Sequence, residues 1–179
     1  MAIKYIFLNE TSKYDIINIL NILGVYMSFI KAQEHLKKYN LENRIIEFPV
    51  LTSTVREAAN ALNSTEGEIA KSLAFIVNEK PILVIAAGDK KIDNSLFRQE
   101  FNCKAKMIQF DMVETIIGHA AGGVCPFGIN ENVSVYLDES LKLYNYIYPA
   151  CGSHNSAVKL TIEELEKSSN YVKWVNVCK

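Results

Sequence analysis

Hydrophobic and polar positions recur along this chain with two periods, and the changes between them mark out its elements. Residues 15–26 carry Ile16, Ile17, Ile19, Leu20, Ile22 and Leu23, broken by Asn18 and Asn21, and predict a helix. A second helix is predicted over 28–39, with Phe29, Ala32 and Leu36 on one face and Lys31, Lys37 and Lys38 elsewhere. Short strands are predicted over 4–8 and 45–50. The pairs Thr54/Glu57 and Thr65/Glu68 have capping-box spacing. Each predicts a short helix, the first running to Leu62 and the second ending near Lys71. Apolar runs over 72–77 and 82–87 flank Asn78, Glu79, Lys80 and Pro81, which predicts a β-hairpin. Further helices are predicted over 93–101, from Asp111 to Gly118, and after Thr161. Strands are predicted over 133–137, 146–149, 157–160 and 172–177. No strict strand–helix–strand rhythm appears, and the hairpin excludes a purely parallel sheet. The fold class expected is α/β, a single mixed domain with one central sheet.

Composition narrows the function classes. The 179 residues are 49% hydrophobic and 22% charged, which suits one packed domain and not a disordered chain. With 19 basic and 20 acidic residues the net charge is −1, so no broad basic surface is expected and DNA is not an expected partner. A nucleic-acid contact would be local, through a few cations at one rim. Cys103, Cys125, Cys151 and Cys178 form no CxxC pair and match no zinc spacing. Reduced thiols, a cytoplasmic location and no metal are expected. The apolar run at 16–26 is shorter than the roughly 20 residues that span a membrane. Glu10 and Asp15 ahead of it, and the lack of a small-x-small site after it, argue against a signal peptide. No membrane partner is expected. The plausible boundary lies near Met27, dividing an amino-terminal extension, 1–26, from a main domain, 27–179.

Four places can carry chemistry. Residues 118–128 (GHAAGGVCPFG) hold four of the eight glycines beside Pro126. Such a loop is either a tight crossover or a way to aim N–H groups at a carbonyl or oxyanion. Residues 152–155 (GSHN) set Ser153, His154 and Asn155 on one turn, where His154 is a structural histidine or an acid, base or positioning donor. Lys71 sits before a buried strand, where its ammonium either complements a helix end or points into a pocket. Cys125 is either a small packing residue or a nucleophile served by His119 or His154.

These stretches occur in the order of a known family. TVREAANAL over 54–62, EIAKSLAF over 68–75, LVIAAGD over 83–89, GGVCPFG over 122–128 and GSHN over 152–155, continuing to LTIEEL over 160–165, resemble the YbaK/ProX superfamily. This is the superfamily of aminoacyl-tRNA deacylases and prolyl-tRNA-synthetase-associated editing domains. The resemblance implies a curved central sheet surrounded by helices and no cofactor or metal. It implies hydrolysis, in trans, of the ester joining a wrong amino acid to a tRNA. The substrate expected is a small noncognate amino acid, such as alanine or cysteine on tRNA for proline. The expected partners are the tRNA acceptor end and an aminoacyl-tRNA synthetase.

The resemblance also assigns roles. Lys71 would contact the terminal phosphate, the ribose or the α-amino region. The backbone of Gly122, Gly123 and Val124 would hold the carbonyl or oxyanion, with Pro126 completing the Gly-x-x-x-Pro element. His154 and Asn155 would bind the amino-acid end or order water, and Ser72 and Ser153 would help line the substrate site. Some relatives carry Lys-Asn where this chain has Lys71 and Ser72, a difference that bears on substrate choice. The competing readings are a non-catalytic tRNA- or synthetase-binding module of the same fold, and a cysteine-dependent enzyme using Cys125.

Overall fold

The computed structural model describes residues 13–52 and 54–179, with side chains from residue 22 onward. The strand expected over 4–8 lies outside the described residues. The chain forms helix α1 (Lys13–Lys37), strand β1 (Ile45–Glu47), α2 (Val55–Leu62), β2 (Ile69–Val77), β3 (Lys80–Ala87) and α3 (Asn94–Phe101). Then come α4 (Val113–Ile117), β4 (Ser134–Asp138), β5 (Tyr146–Pro149), β6 (Ser156–Val158), β7 (Leu160–Thr161), α5 (Ile162–Ser169) and β8 (Lys173–Val175).

Six strands make one curled mixed sheet in the order β7-β5-β2-β3-β4-β8. The β2–β3 and β5–β7 pairs are antiparallel, while β2–β5, β3–β4 and β4–β8 are parallel. β1 and β6 form a separate antiparallel pair. The continuous apolar run of β3 follows from burial of both its faces. Leu83, Ile85 and Ala87 enter one core with Leu36 of α1, Ile117 of α4 and Leu165 of α5. Ile82, Val84 and Ala86 enter a second core with Phe97 and Phe101 of α3. Helices therefore cover both sides of the sheet, as the α/β expectation requires. Among the described residues no helix is long and apolar enough to cross a membrane.

Capping explains most helix starts. Thr54 and Thr161 close complete capping boxes with Glu57 and Glu164, and the Asp93 side chain accepts from the N–H groups of Ser95 and Leu96. Each such cap is worth about 1 kcal/mol.

The structure corrects several element expectations. The two helices expected over 15–26 and 28–39 are one helix. Ser28 does not break it, because its Oγ donates to the Gly24 carbonyl one turn back, at 2.8 Å. The box at Thr65 starts only a single 3-10 turn, Glu66–Glu68, and β2 begins at Ile69. Lys71 is therefore the third residue of a strand and not a helix end. The hairpin turn has two residues instead of four. Asn78 and Glu79 both take positive φ, 47° and 65°, matching a type I′ turn. Pro81 lies in β3, opposite Ile76. Asp111 falls inside a 3-10 turn, Phe110–Met112, and α4 starts after Met112 with no side-chain cap. The strand expected over 157–160 is split into β6 and β7.

Candidate active site

β2 and β5 run parallel, with Ile69 opposite Tyr148. A cavity of about 200 Å³ opens at this end of the pair. Three segments distant in sequence meet there. β2 brings Lys71 and Ser72, the glycine-rich loop brings Gly122 and Val124, and the turn after β5 brings Ser153. Ala58, Ala70, Ala150 and Ala157 line much of the remainder.

The loop and the turn are packed backbone to backbone. Gly123 donates its N–H to the Ala120 carbonyl at 3.1 Å, and its own carbonyl accepts the Gly152 N–H at 3.1 Å. A Cβ on Gly123 would stand 2.6 Å from the Gly152 carbonyl carbon, closer than real Cβ atoms approach. Gly122 adopts φ 91°, which L side chains rarely take. A Cβ there would overlap the His154 ring at Cε1 and Nδ1. The imidazole thus lies directly on the Gly122 backbone. His154 Nδ1 is buried with no hydrogen-bond partner, and so is Ser72 Oγ. Buried polar atoms in folded proteins are normally paired, so two orphans beside one cavity mark places for a polar ligand.

The turn is also tied to residues 48–52. Thr52 donates its N–H and its hydroxyl to the His154 carbonyl, at 2.7 and 2.9 Å. Phe48 N–H donates to the Asn155 carbonyl at 2.7 Å, and Asn155 Nδ2 returns a bond to the Phe48 carbonyl at 3.0 Å. Ser153 Oγ lies 3.0 Å from Asn155 Oδ1 and 2.6 Å from Ser156 Oγ, which donates to the Cys151 carbonyl.

Lys71 lines the cavity, but its ammonium donates to the carbonyls of Gly88, at 2.9 Å, and Lys90. Desolvation of this half-buried group lowers its pKa, opposed by Cys178 and by the carboxylates of Asp89 and Asp138.

The structure does not bring every expected residue to the cavity. Gly123 has its N–H engaged by Ala120, so only Gly122 and Val124 remain as candidate oxyanion donors. Both side-chain groups of Asn155 are engaged, by Phe48 and by Ser153. Pro126 is buried on the far side of the loop, where it lines a second hollow with Lys31 and His35. Cys125 is fully buried, its thiol directed at the Phe127 carbonyl at 3.7 Å, and burial pushes its pKa up to about 12. His119 is also fully buried, with Nε2 2.8 Å from the same carbonyl, and burial lowers its pKa to about 4. Neither lines the cavity. The nucleophile reading of Cys125 fails, because a thiolate needs exposure and a stabilising charge. Thr52 and Tyr148 line the cavity unforeseen, since no motif surrounds them and only the register of β2 on β5 brings Tyr148 there, and Thr54, read from the sequence only as a helix cap, lines it too.

Comparison with known proteins bears on this arrangement. The chain is 44% identical over 154 residues to "Uncharacterized protein YwhH" of Bacillus subtilis, covering 86% of this chain and 98% of that one. It is 24% identical over 119 residues to "Putative Cys-tRNA(Pro)/Cys-tRNA(Cys) deacylase EbsC" of Enterococcus faecalis, covering 65% and 73%. A crystal structure described as "a putative trans-editing enzyme for prolyl tRNA synthetase" superposes with a TM-score of 0.77 at 26% identity, covering 85% of this chain and 97% of that one. The model of the aminoacyl-tRNA editing domain matches residues 50–168, a span that holds every residue of the cavity named above. The chain belongs to the aminoacyl-tRNA editing domain family.

Proposed function

We propose that this protein is a trans-editing hydrolase that deacylates a tRNA carrying a small, wrong amino acid. One observation carries the reading: Lys71, Ser72, Gly122, Val124 and Ser153, from three separate segments of an editing-family chain, line one cavity of about 200 Å³. An aminoacyl ester is already activated, so positioning of water matters more than a strong nucleophile. Water attacks the carbonyl carbon, and the negative charge develops on the carbonyl oxygen. The Gly122 and Val124 N–H groups hold that oxygen. The bond to the ribose oxygen then breaks, that oxygen takes up a proton, and the free amino acid leaves. His154 Nδ1, unpaired and lying on Gly122, orders the water or the substrate amine. Lys71 supplies positive charge near the ribose or terminal phosphate by exchanging one of its carbonyl partners for substrate.

The small volume of the cavity, about 200 Å³, favours a small side chain over a bulky one. Rejection of one extra methylene is worth about 1–3 kcal/mol. Alanine or cysteine on tRNA for proline is the substrate proposed, with the tRNA acceptor end and a synthetase as partners in the cytoplasm. The experiment is a deacylation assay on a panel of mischarged tRNAs, including alanyl- and cysteinyl-tRNA for proline, beside Lys71→Ala. Hydrolysis of one member, lost in the variant, is the expected result. Folded protein inert across the panel overturns the enzyme reading and leaves the binding module.

A further inference from the structure

A strip of aromatic surface runs out of the cavity along β5. The register places Ile147 opposite Leu160 on β7, and the bridge between Ala150 and Ala157 keeps the same register, so Lys159 stands opposite Tyr148. Ile147 and Pro149 are buried. By the alternation of a strand, Ala150, Tyr148 and Tyr146 form one row on the other face. Ala150 and Tyr148 line the cavity, and Tyr146, the outermost, is 45% exposed. The exposed Lys159 bridges them, its ammonium 4.4 Å from the Tyr146 ring centroid and 6.0 Å from that of Tyr148.

We propose that Tyr148, Tyr146 and Lys159 form the track on which the unpaired 3′ end of tRNA lies as it enters the cavity. The inference rests on the editing function proposed above and names the path of its substrate. If the amino acid occupies the cavity, the last nucleotides must leave across a wall, and this wall carries aromatic rings leading outward. Aromatic rings stack any base, which suits a CCA end common to all tRNAs. Positions two apart on a strand are about 6.6 Å apart, close to two base-stacking steps of about 3.4 Å. Lys159 adds one exposed cation beside the rings, where a phosphate between stacked bases would run. A chain of net charge −1 has no broad basic surface to do this work, so a short stacking track with a single charge is the economical alternative.

The test uses the full chain and an RNA oligonucleotide that ends in CCA and carries no amino acid, read by fluorescence anisotropy, beside deacylation kinetics. Tyr146→Ala is expected to weaken oligonucleotide binding about tenfold, within the range of one lost base–aromatic stack. Tyr146→Phe should bind within twofold of wild type. Lys159→Ala should weaken binding and lower the salt slope by about 0.7, the value of one phosphate contact on a single strand. On charged tRNA, Tyr146→Ala should raise KM and leave kcat unchanged, since the ring lies outside the cavity. Wild-type protein that ignores the oligonucleotide, or a Tyr146→Ala protein that binds it and edits normally, overturns the proposal. Tyr146-dependent binding in a protein that hydrolyses no panel member upholds the track and removes the editing reading, so the two failures are distinguishable.

Discussion

The glycine-rich loop contributes to two hollows, and they differ in size and in lining. The hollow holding Pro126, Lys31 and His35 is the larger, about 480 Å³, and is bordered by charged side chains of α1. The other is about 200 Å³ and is lined mainly by small residues, with Lys71 and Tyr148 among them. Volume alone would choose the first. Each has an unpaired buried serine hydroxyl at its wall, Ser169 in the first and Ser72 in the second, and each meets a loop glycine at positive φ, Gly128 and Gly122; the second adds the unpaired His154 Nδ1 lying on Gly122. Cys125 and His119 of the same loop line neither hollow and are fully buried. The difference teaches that size does not single out a candidate site; an unpaired imidazole laid on glycine backbone where three segments meet is the more telling feature.

If the small cavity is the active one, the sharpest break is Gly122→Ala. Its Cβ would displace His154 and strain a backbone at φ 91°. Deacylation should fall between about a hundred- and a thousandfold, the range for losing one oxyanion donor. Circular dichroism would check that the fold survives, and near-normal turnover would remove the role of the loop.

The buried loop histidine makes a pH prediction. Burial lowers the pKa of His119 from its ordinary 6.5 to about 4, so the unfolded chain binds more protons between these pH values. Stability is therefore fully present above pH 6.5 and declines as pH falls toward 4, by on the order of 3 kcal/mol. Urea titrations at pH 7 and pH 4.5 should show the loss, and His119→Gln should flatten this component.

Lys71→Ala should lower the deacylation rate about tenfold or more, a change of about 1.4 kcal/mol or more in the barrier. Its two carbonyl partners imply some loss of thermal stability as well. A variant that lost stability but kept its rate would make Lys71 a brace for the turn after β3 and nothing else.

The smallest effects belong to the other side of the loop. Cys125→Ala and Pro126→Ala should each leave kcat/KM within about twofold, because neither side chain lines the cavity. A large loss in Pro126→Ala at unchanged stability would shift attention to the larger hollow.

Local chemistry made much of this legible. The capping boxes at Thr54 and Thr161, the hairpin of β2 and β3 and the family phrases all depend on residues within a few positions of one another. Where local signals conflicted with packing, packing won. Ser28 suggested a helix boundary, yet it continues α1 by bonding back to Gly24 and accepting the Ala120 N–H at 3.1 Å. The helix expected up to Lys71 gave way to β2, because pairing with β3 and burial in two cores outweigh one cap.

The candidate site divided in the same way. Sequence order alone placed Lys71, the glycine loop and the GSHN turn in one functional group, since family phrases are read along the chain. It also determined the α/β class, through the period of its apolar positions. Which atoms of that group remain available was decided only in three dimensions. Gly123 and Asn155 spend their hydrogen bonds on neighbours, Pro126 and Cys125 turn away, and Tyr148 enters through strand register. Hydrogen-bond saturation and burial are properties of pairs of residues distant in sequence, and such pairs exist only once the chain has folded.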